Sequence, residues 1–243
     1  MHAFRFSLAV VAVGITSVAV AAPTGASPTP PVTNVATNLV ARWDMNEGTG
    51  ATVMLDSSGN GITGTIGTGV LTNQVFDGAT GYRWVYRAPN QPPADPQRLV
   101  QVPDDNRLDP GTGEFSVTIR MRTDKDFGNI VQKGQAGAKG GYWKFENPHG
   151  NVHCLFRDLN KVGISVGAGR ALNDNQWHVI RCDRTSTGVF MTVDGVPAGH
   201  RNGTVGSISN SRPVTIAGKL NCDQIEITCD YFTGSIDYIE IDN

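Results

Sequence analysis

Tyr231-Phe-Thr-Gly-Ser-Ile-Asp-Tyr-Ile-Glu-Ile-Asp-Asn243 sets apolar side chains against polar ones. Ile236, Tyr238 (or Ile239) and Ile241 stand on one side, with Asp237, Glu240 and Asp242 on the other. Alternation of this kind marks a half-buried β-strand, because successive side chains leave a strand on opposite faces. Gly234-Ser235 supplies the turn that opens it. A strand completed here is expected to close the domain on its own terminus. Asp237, beside that turn, stands where a carboxylate can bind a metal or pin a loop.

The remainder of the chain has the same texture. Phe115–Met121, Asn129–Gln132, Tyr142–Phe145, Val152–Phe156, Trp177–Cys182, Val189–Val193 and Val214–Ala217 are short apolar runs with strand periodicity. Ser58-Gly59, Asn60-Gly61, Asp77-Gly78, Asp194-Gly195 and Asn202-Gly203 punctuate them with turn chemistry. With 29 Gly and 13 Pro there is little room for helices, and helical periodicity is nearly absent. The expectation is an all-β fold, a two-sheet antiparallel β-sandwich or jelly roll.

Residues 1–22 read as a secretory signal peptide: Arg5, an apolar stretch from Phe6 to Val20, and small residues at Ala19-Val-Ala21-Ala22. The stretch is shorter than a membrane-spanning helix requires, and no second apolar segment follows, so no membrane span is expected. Residues 23–37, rich in Pro and Thr, read as a linker. Residues 38–243 then form one domain, secreted and extracellular. Loss of Arg5 with the signal moves the formal charge from −2 to −3. With no basic run anywhere, nothing in the sequence points to nucleic acid or an anionic membrane.

Four cysteines in an exported chain make disulfides the default. Three pairings of Cys154, Cys182, Cys222 and Cys229 exist; local closure favours 154–182 with 222–229. A zinc site lacks the C-x-x-C spacing, and His149 and His153, although spaced H-x-x-x-H beside Cys154, read as ordinary strand and turn residues. His178 reads as structural, since no nucleophile motif accompanies it. Asn202-Gly-Thr204 is an acceptor sequon for glycosylation.

Three segments resemble the laminin-G/pentraxin-like branch of the concanavalin A-like lectin/glucanase superfamily. Val40-Ala-Arg-Trp-Asp-Met-Asn-Glu-Gly-Thr-Gly50, followed by Asp56-Ser-Ser-Gly-Asn-Gly61, is similar to that family's opening strand and loop. Asn175-Gln-Trp-His-Val-Ile180 and Val189-Phe-Met-Thr-Val-Asp-Gly195 resemble its Trp-His strand and Asp-Gly hairpin. Phe232 to Asp242 resembles its closing strand, and Val75-Phe-Asp-Gly78 and Glu114 to Ile119 match two more. The resemblance implies a structural calcium shared by Asp56, Asn60 and Asp237. The Asp56 loop itself offers the oxygen-rich ligands calcium takes, against the competing reading of a tight turn in which Asp56 caps its own backbone.

Related glucanases carry E-x-D-x-E on one strand, which aims three acids into one cleft. Here Glu240-Ile-Asp242 gives two, on a strand at the end of the domain rather than its middle, so the two are expected to form a solvated face. The strands of a jelly-roll polysaccharide lyase are not recognisable either. A binding module without catalysis is therefore expected, taking a carbohydrate or cell-surface ligand. A glycoside hydrolase or lyase, and a protein-binding adhesion module, are the alternatives. Trp84, Tyr86 and Arg87, ahead of a Pro-rich loop, and Trp143 after Gly140-Gly141 are the candidate contacts. Aromatic faces stack on sugar rings and Arg bonds hydroxyls, while core packing is the competing reading for each aromatic.

Overall fold

A computed structural model describes residues 38–89, 94–222 and 229–243. The expected signal peptide and linker, residues 1–37, lie outside the described residues. Sixteen strands run through these parts of the chain. The first eight are β1 (Leu39–Trp43), β2 (Val53–Met54), β3 (Gly64–Ile66), β4 (Leu71–Phe76), β5 (Ala79–Trp84), β6 (Val100–Val102), β7 (Phe115–Arg122) and β8 (Asn129–Lys133). The second eight are β9 (Tyr142–Glu146), β10 (His153–Arg157), β11 (Gly163–Gly167), β12 (His178–Arg184), β13 (Gly188–Val193), β14 (Val196–Asn202), β15 (Val214–Ile216) and β16 (Gly234–Asp242). They form two eight-stranded antiparallel sheets, as the alternation requires. One runs β14-β13-β12-β7-β16-β5-β4, with β1 also on β16; the other runs β11-β10-β9-β8-β15-β6-β3-β2. Among the described residues, no helix is long and apolar enough to cross a membrane.

The closing strand β16 is central in the first sheet. One edge pairs with β7 from Ser235 to Asp242. The other pairs with β5 through Gly234–Ile236 and with β1 through Ile239–Asp242. The register shifts between Ile236 and Tyr238, a β-bulge at Asp237. The extra residue settles the choice the sequence leaves open: Ile236, Ile239 and Ile241 are fully buried, and Tyr238 turns outward. Gly81 faces the bulge, where a Cβ would collide with the Ile236 carbonyl oxygen, so β5 approaches this closely only with glycine there.

The core lies between the sheets. Val117, Ile119, Met121 and Ile180 meet Val131, Phe145, Phe156 and Val214 in one apolar cluster. Cys154 on β10 and Cys182 on β12 are bonded, so this disulfide crosses the core from sheet to sheet; Cys222 pairs with Cys229. Three buried indoles each donate to a main-chain carbonyl: Trp43 to Ile62 (2.7 Å), Trp84 to Arg98 (2.8 Å) and Trp143 to Leu108 (3.1 Å). This corrects the expectation for Trp84 and Trp143. Strand alternation turns both inward, at 1% and 0% exposure, and neither can stack on a ligand.

Replacing Cys154 and Cys182 together with Ala removes a cross-link between residues 28 apart in sequence. The expected loss is about 3–4 kcal/mol, read from the urea midpoint of the double variant against the parent.

Candidate functional site

The loop expected to hold calcium is a clamp. Asp56 Oδ1 accepts the N–H groups of Arg42 (3.0 Å) and Ser58 (2.9 Å), and Oδ2 accepts that of Ile62 (2.9 Å). Asn60 Nδ2 donates to the carbonyls of Leu39 (3.0 Å) and Val40 (2.9 Å). Together they tie residues 56–62 to β1. Asp237 is ion-paired with Arg120 instead, on the open face of the first sheet. This donor set does not fit a shared ion. The oxygens of Asp56 already accept three main-chain donors, Asn60 presents its amide N–H groups, and the charge of Asp237 is balanced. Among the described residues, no three His, Cys, Asp or Glu side chains gather as a metal-binding group.

The acids of β16 are also held by arginines rather than left free in solvent. Glu240 pairs with Arg42 (2.5 Å) and Asp242 with Arg181 (3.0 Å). Asp242 is 5% exposed, which corrects its expected place on a solvated face, and burial pushes its carboxyl above the usual range. His178 has a structural post, its Nδ1 on Asp194 (2.8 Å) and its Nε2 on Asp174 (3.1 Å).

Tyr86 and Arg87 do reach an open site. Because Tyr82 and Trp84 point into the core, Arg83 points out, and Val85-Tyr86 leave the strand in solvent. Ser235 is in register with Arg83 on one side and Arg122 on the other, so three neighbouring strands form a row Arg83–Ser235–Arg122. The ring of Phe76, at the end of β4, takes both guanidinium groups, with centroid distances of 5.3 Å and 5.4 Å. Arg122 is further fixed by Asp77 (2.8 Å) and by the Asn175 amide oxygen (3.1 Å). Tyr86 is 62% exposed, and Lys125 Nζ lies 5.6 Å from its ring centroid.

These side chains line a cleft of about 370 Å³. A second cleft of about 260 Å³ shares Tyr86, Lys125 and Thr233 with it and extends to Arg87 and Tyr231. Arg87 pairs with Asp95 (2.5 Å) and lies 4.8 Å from the Tyr231 ring centroid. Thr233 Oγ1, in the wall common to both clefts, and Arg87 Nε have no hydrogen-bond partner among the described residues. The site thus offers an exposed aromatic ring, fixed cations and an amide. Asp124 is the only carboxylate in the lining of the larger cleft, and Lys125 pairs with it (3.0 Å). Sequence reasoning reached Tyr86 and Arg87 but missed Phe76, Arg122, Lys125 and Asn175. The outward phase of Arg122 on β7 is readable in the sequence; its neighbours from β4, β5 and β16 are not.

A family model described as the concanavalin A-like lectin/glucanases superfamily, of laminin G type, matches residues 95–243. The chain belongs to that superfamily. Solved structures with similar folds include the binding domain of Paraclostridial Mosquitocidal Protein 1 (TM-score 0.58, 15% identity) and the botulinum neurotoxin serotype D binding domain (0.60, 14%). The binding domain of botulinum neurotoxin DC in complex with SialylT is a third (0.60, 12%). Each is covered over 47% of its length by 84% of this chain, so the chain spans about half of these structures. At such identity the likeness is one of fold. No curated protein matches the chain by sequence.

Two measurements check the clamp. Burial alone would raise the Asp56 carboxyl, but the N–H donors of Arg42, Ile62 and Ser58 win and lower it below its ordinary 3.8. A depressed carboxyl stabilises the fold fully above the unfolded value and loses that contribution as pH falls through the folded one. Urea midpoints taken from pH 6 down to pH 2.5 should therefore converge for the parent and Asp56→Asn at the acid end only. A chelator should leave the melting temperature of the parent unchanged, because no bound ion then contributes by mass action; a drop would restore calcium to this loop.

Proposed function

We propose that the domain is an exported binding module that holds a saccharide of a cell-surface glycan in the cleft between Phe76 and Lys125, without transforming it. The observation that carries this reading is the Tyr86 ring, more than half exposed beside fixed polar groups that converge on one cleft. Sugar rings present C–H faces that pack on such a ring, while their hydroxyls need directional donors and acceptors. Arg83, Arg122 and the Asn175 amide supply these, already braced by Phe76 and Asp77. Preorganisation of this kind lowers the entropy lost on binding.

Chemistry on the glycan fits less well. Glycoside hydrolysis asks for two carboxyl groups flanking one bond, and this cleft has Asp124 alone. The carboxylates of β16 lie on the open face of the sheet, each matched to an arginine. Export is supported by residues 1–22 and by the two disulfides, which persist in oxidising compartments. A protein-binding adhesion module is the outcome left if no glycan is held.

A glycan array probed with the parent and with Tyr86→Ala tests the reading. Retention of a defined set of glycans by the parent, with affinity lowered about ten-fold in the variant, is the expected result. Absence of any retained glycan, or release of reducing or unsaturated ends from one, overturns it.

A further inference from the structure

A glycine-rich loop, Gly134-Gln-Ala-Gly-Ala-Lys-Gly-Gly141, joins β8 to β9. It faces the β10–β11 hairpin across a cleft of about 500 Å³ lined by Lys139, Tyr142, Arg157, Leu159 and Lys161. Gly140 and Gly141 have φ of +90° and +86°, and a Cβ on either would collide with main chain, at Ser209 and Arg157 respectively. Only glycine at 141 lets the loop lie this close to the hairpin, and only glycine at 140 this close to Ser209.

The charge in this cleft is unbalanced. Lys139, Arg157 and Lys161 form no ion pair among the described residues. Asp158, the one acid in the lining, is committed elsewhere: Oδ1 accepts the N–H groups of Asn160 and Val162, and Oδ2 that of Gly206, each at 2.9 Å. It shapes the hairpin turn and forms no ion pair with Lys139, Arg157 or Lys161. In the first cleft two of the three cations, Arg122 and Lys125, have an aspartate partner, while Arg83 forms no ion pair among the described residues.

The tip of the same hairpin is apolar where water meets it. Leu159 is 55% and Val162 51% exposed, on either side of Asn160 and Lys161. Isolated exposed apolar residues are ordinary on a protein surface. Two at one tight turn, rimmed by three unpaired cations, match the order of groups met on entering a lipid interface: phosphates outside, hydrocarbon beneath.

We infer that the β10–β11 hairpin tip and the cleft behind it dock on an anionic lipid surface, Lys139, Arg157 and Lys161 meeting lipid phosphates while Leu159 and Val162 enter the interface. A polysaccharide carrying sulfate would satisfy the cations but leave the apolar tip in water. The surface is peripheral and reversible, since a few cations and two side chains fall far short of a spanning segment. It stands apart from the saccharide cleft, and its test does not depend on that reading.

Co-sedimentation of the full chain with phosphatidylcholine vesicles, with and without phosphatidylglycerol, reads the docking. Binding is expected to the mixed vesicles alone and to weaken as salt screens the cations. Lys139→Gln and Lys161→Gln should each lower it about five-fold. Leu159→Ser should lower it further without altering the salt dependence. Equal partition to both vesicle types, or binding unmoved by all three variants, overturns the proposal. So does capture by soluble dextran sulfate that matches vesicle binding and survives Leu159→Ser, which would assign the cations to a polysaccharide. Tyr86→Ala should leave vesicle binding intact.

Discussion

The first sheet depends on one strand, β16, hydrogen-bonded to β7, β5 and β1, and on the single extra residue in it. Along one edge β16 pairs with β7 from Ser235 to Asp242, its register shifting once between Ile236 and Tyr238. Along the other it hands over from β5 to β1 across the bulge at Asp237. A bulge bends its strand and increases the local twist, and here it lets two different strands share one edge. The isoleucine phase changes by one residue at the same point, so Ile236 and Ile239 both stay buried despite an odd spacing. Asp237 reaches Arg120 from this position, and Arg120 lies over Trp177. A residue that invites a metal reading is the hinge of the sheet.

Buried charges fasten the loops around that frame. Lys133 is fully buried and donates to Asp104 (2.7 Å), Asp109 (2.8 Å) and the Asn210 carbonyl (2.5 Å). Arg184 is 2% exposed and donates to the carbonyls of Pro110, Gly113, Val205 and Gly206. A buried cation left without such partners is strongly destabilising, so each locks several loop segments at once. The Cys154–Cys182 bridge performs the corresponding task between sheets. Rigid framing of this kind allows the loops at the sheet ends to carry exposed, ligand-ready side chains.

The two clefts illustrate different uses of basic residues. Around Phe76 both arginines lie over the ring and Arg122 is also hydrogen-bonded to Asp77 and Asn175, so they present set directions to a neutral or mildly polar ligand. Around the hairpin tip Lys139 and Lys161 are exposed and act as point charges, and with the half-buried Arg157 they form no ion pair among the described residues. A chain with formal charge −2 therefore carries a locally positive surface, because several of its acids cap main-chain N–H groups or pair inside the sheet.

Period-two alternation and Gly-rich turns fixed the all-β class from sequence alone, because side-chain direction on a strand is a local property of the backbone. The same local logic made Asp56 legible as a turn cap, and short loop closure pointed to the 222–229 disulfide. Which aromatics face the core was not decidable locally. Trp84 and Tyr86 are two residues apart, yet β5 ends between them, burying one and releasing the other. Nor could the sequence show that Arg83 and Arg122 meet over Phe76, or that Lys139 faces Lys161. Those neighbourhoods arise from strand pairing between distant segments, and register across a sheet is a property of the folded chain.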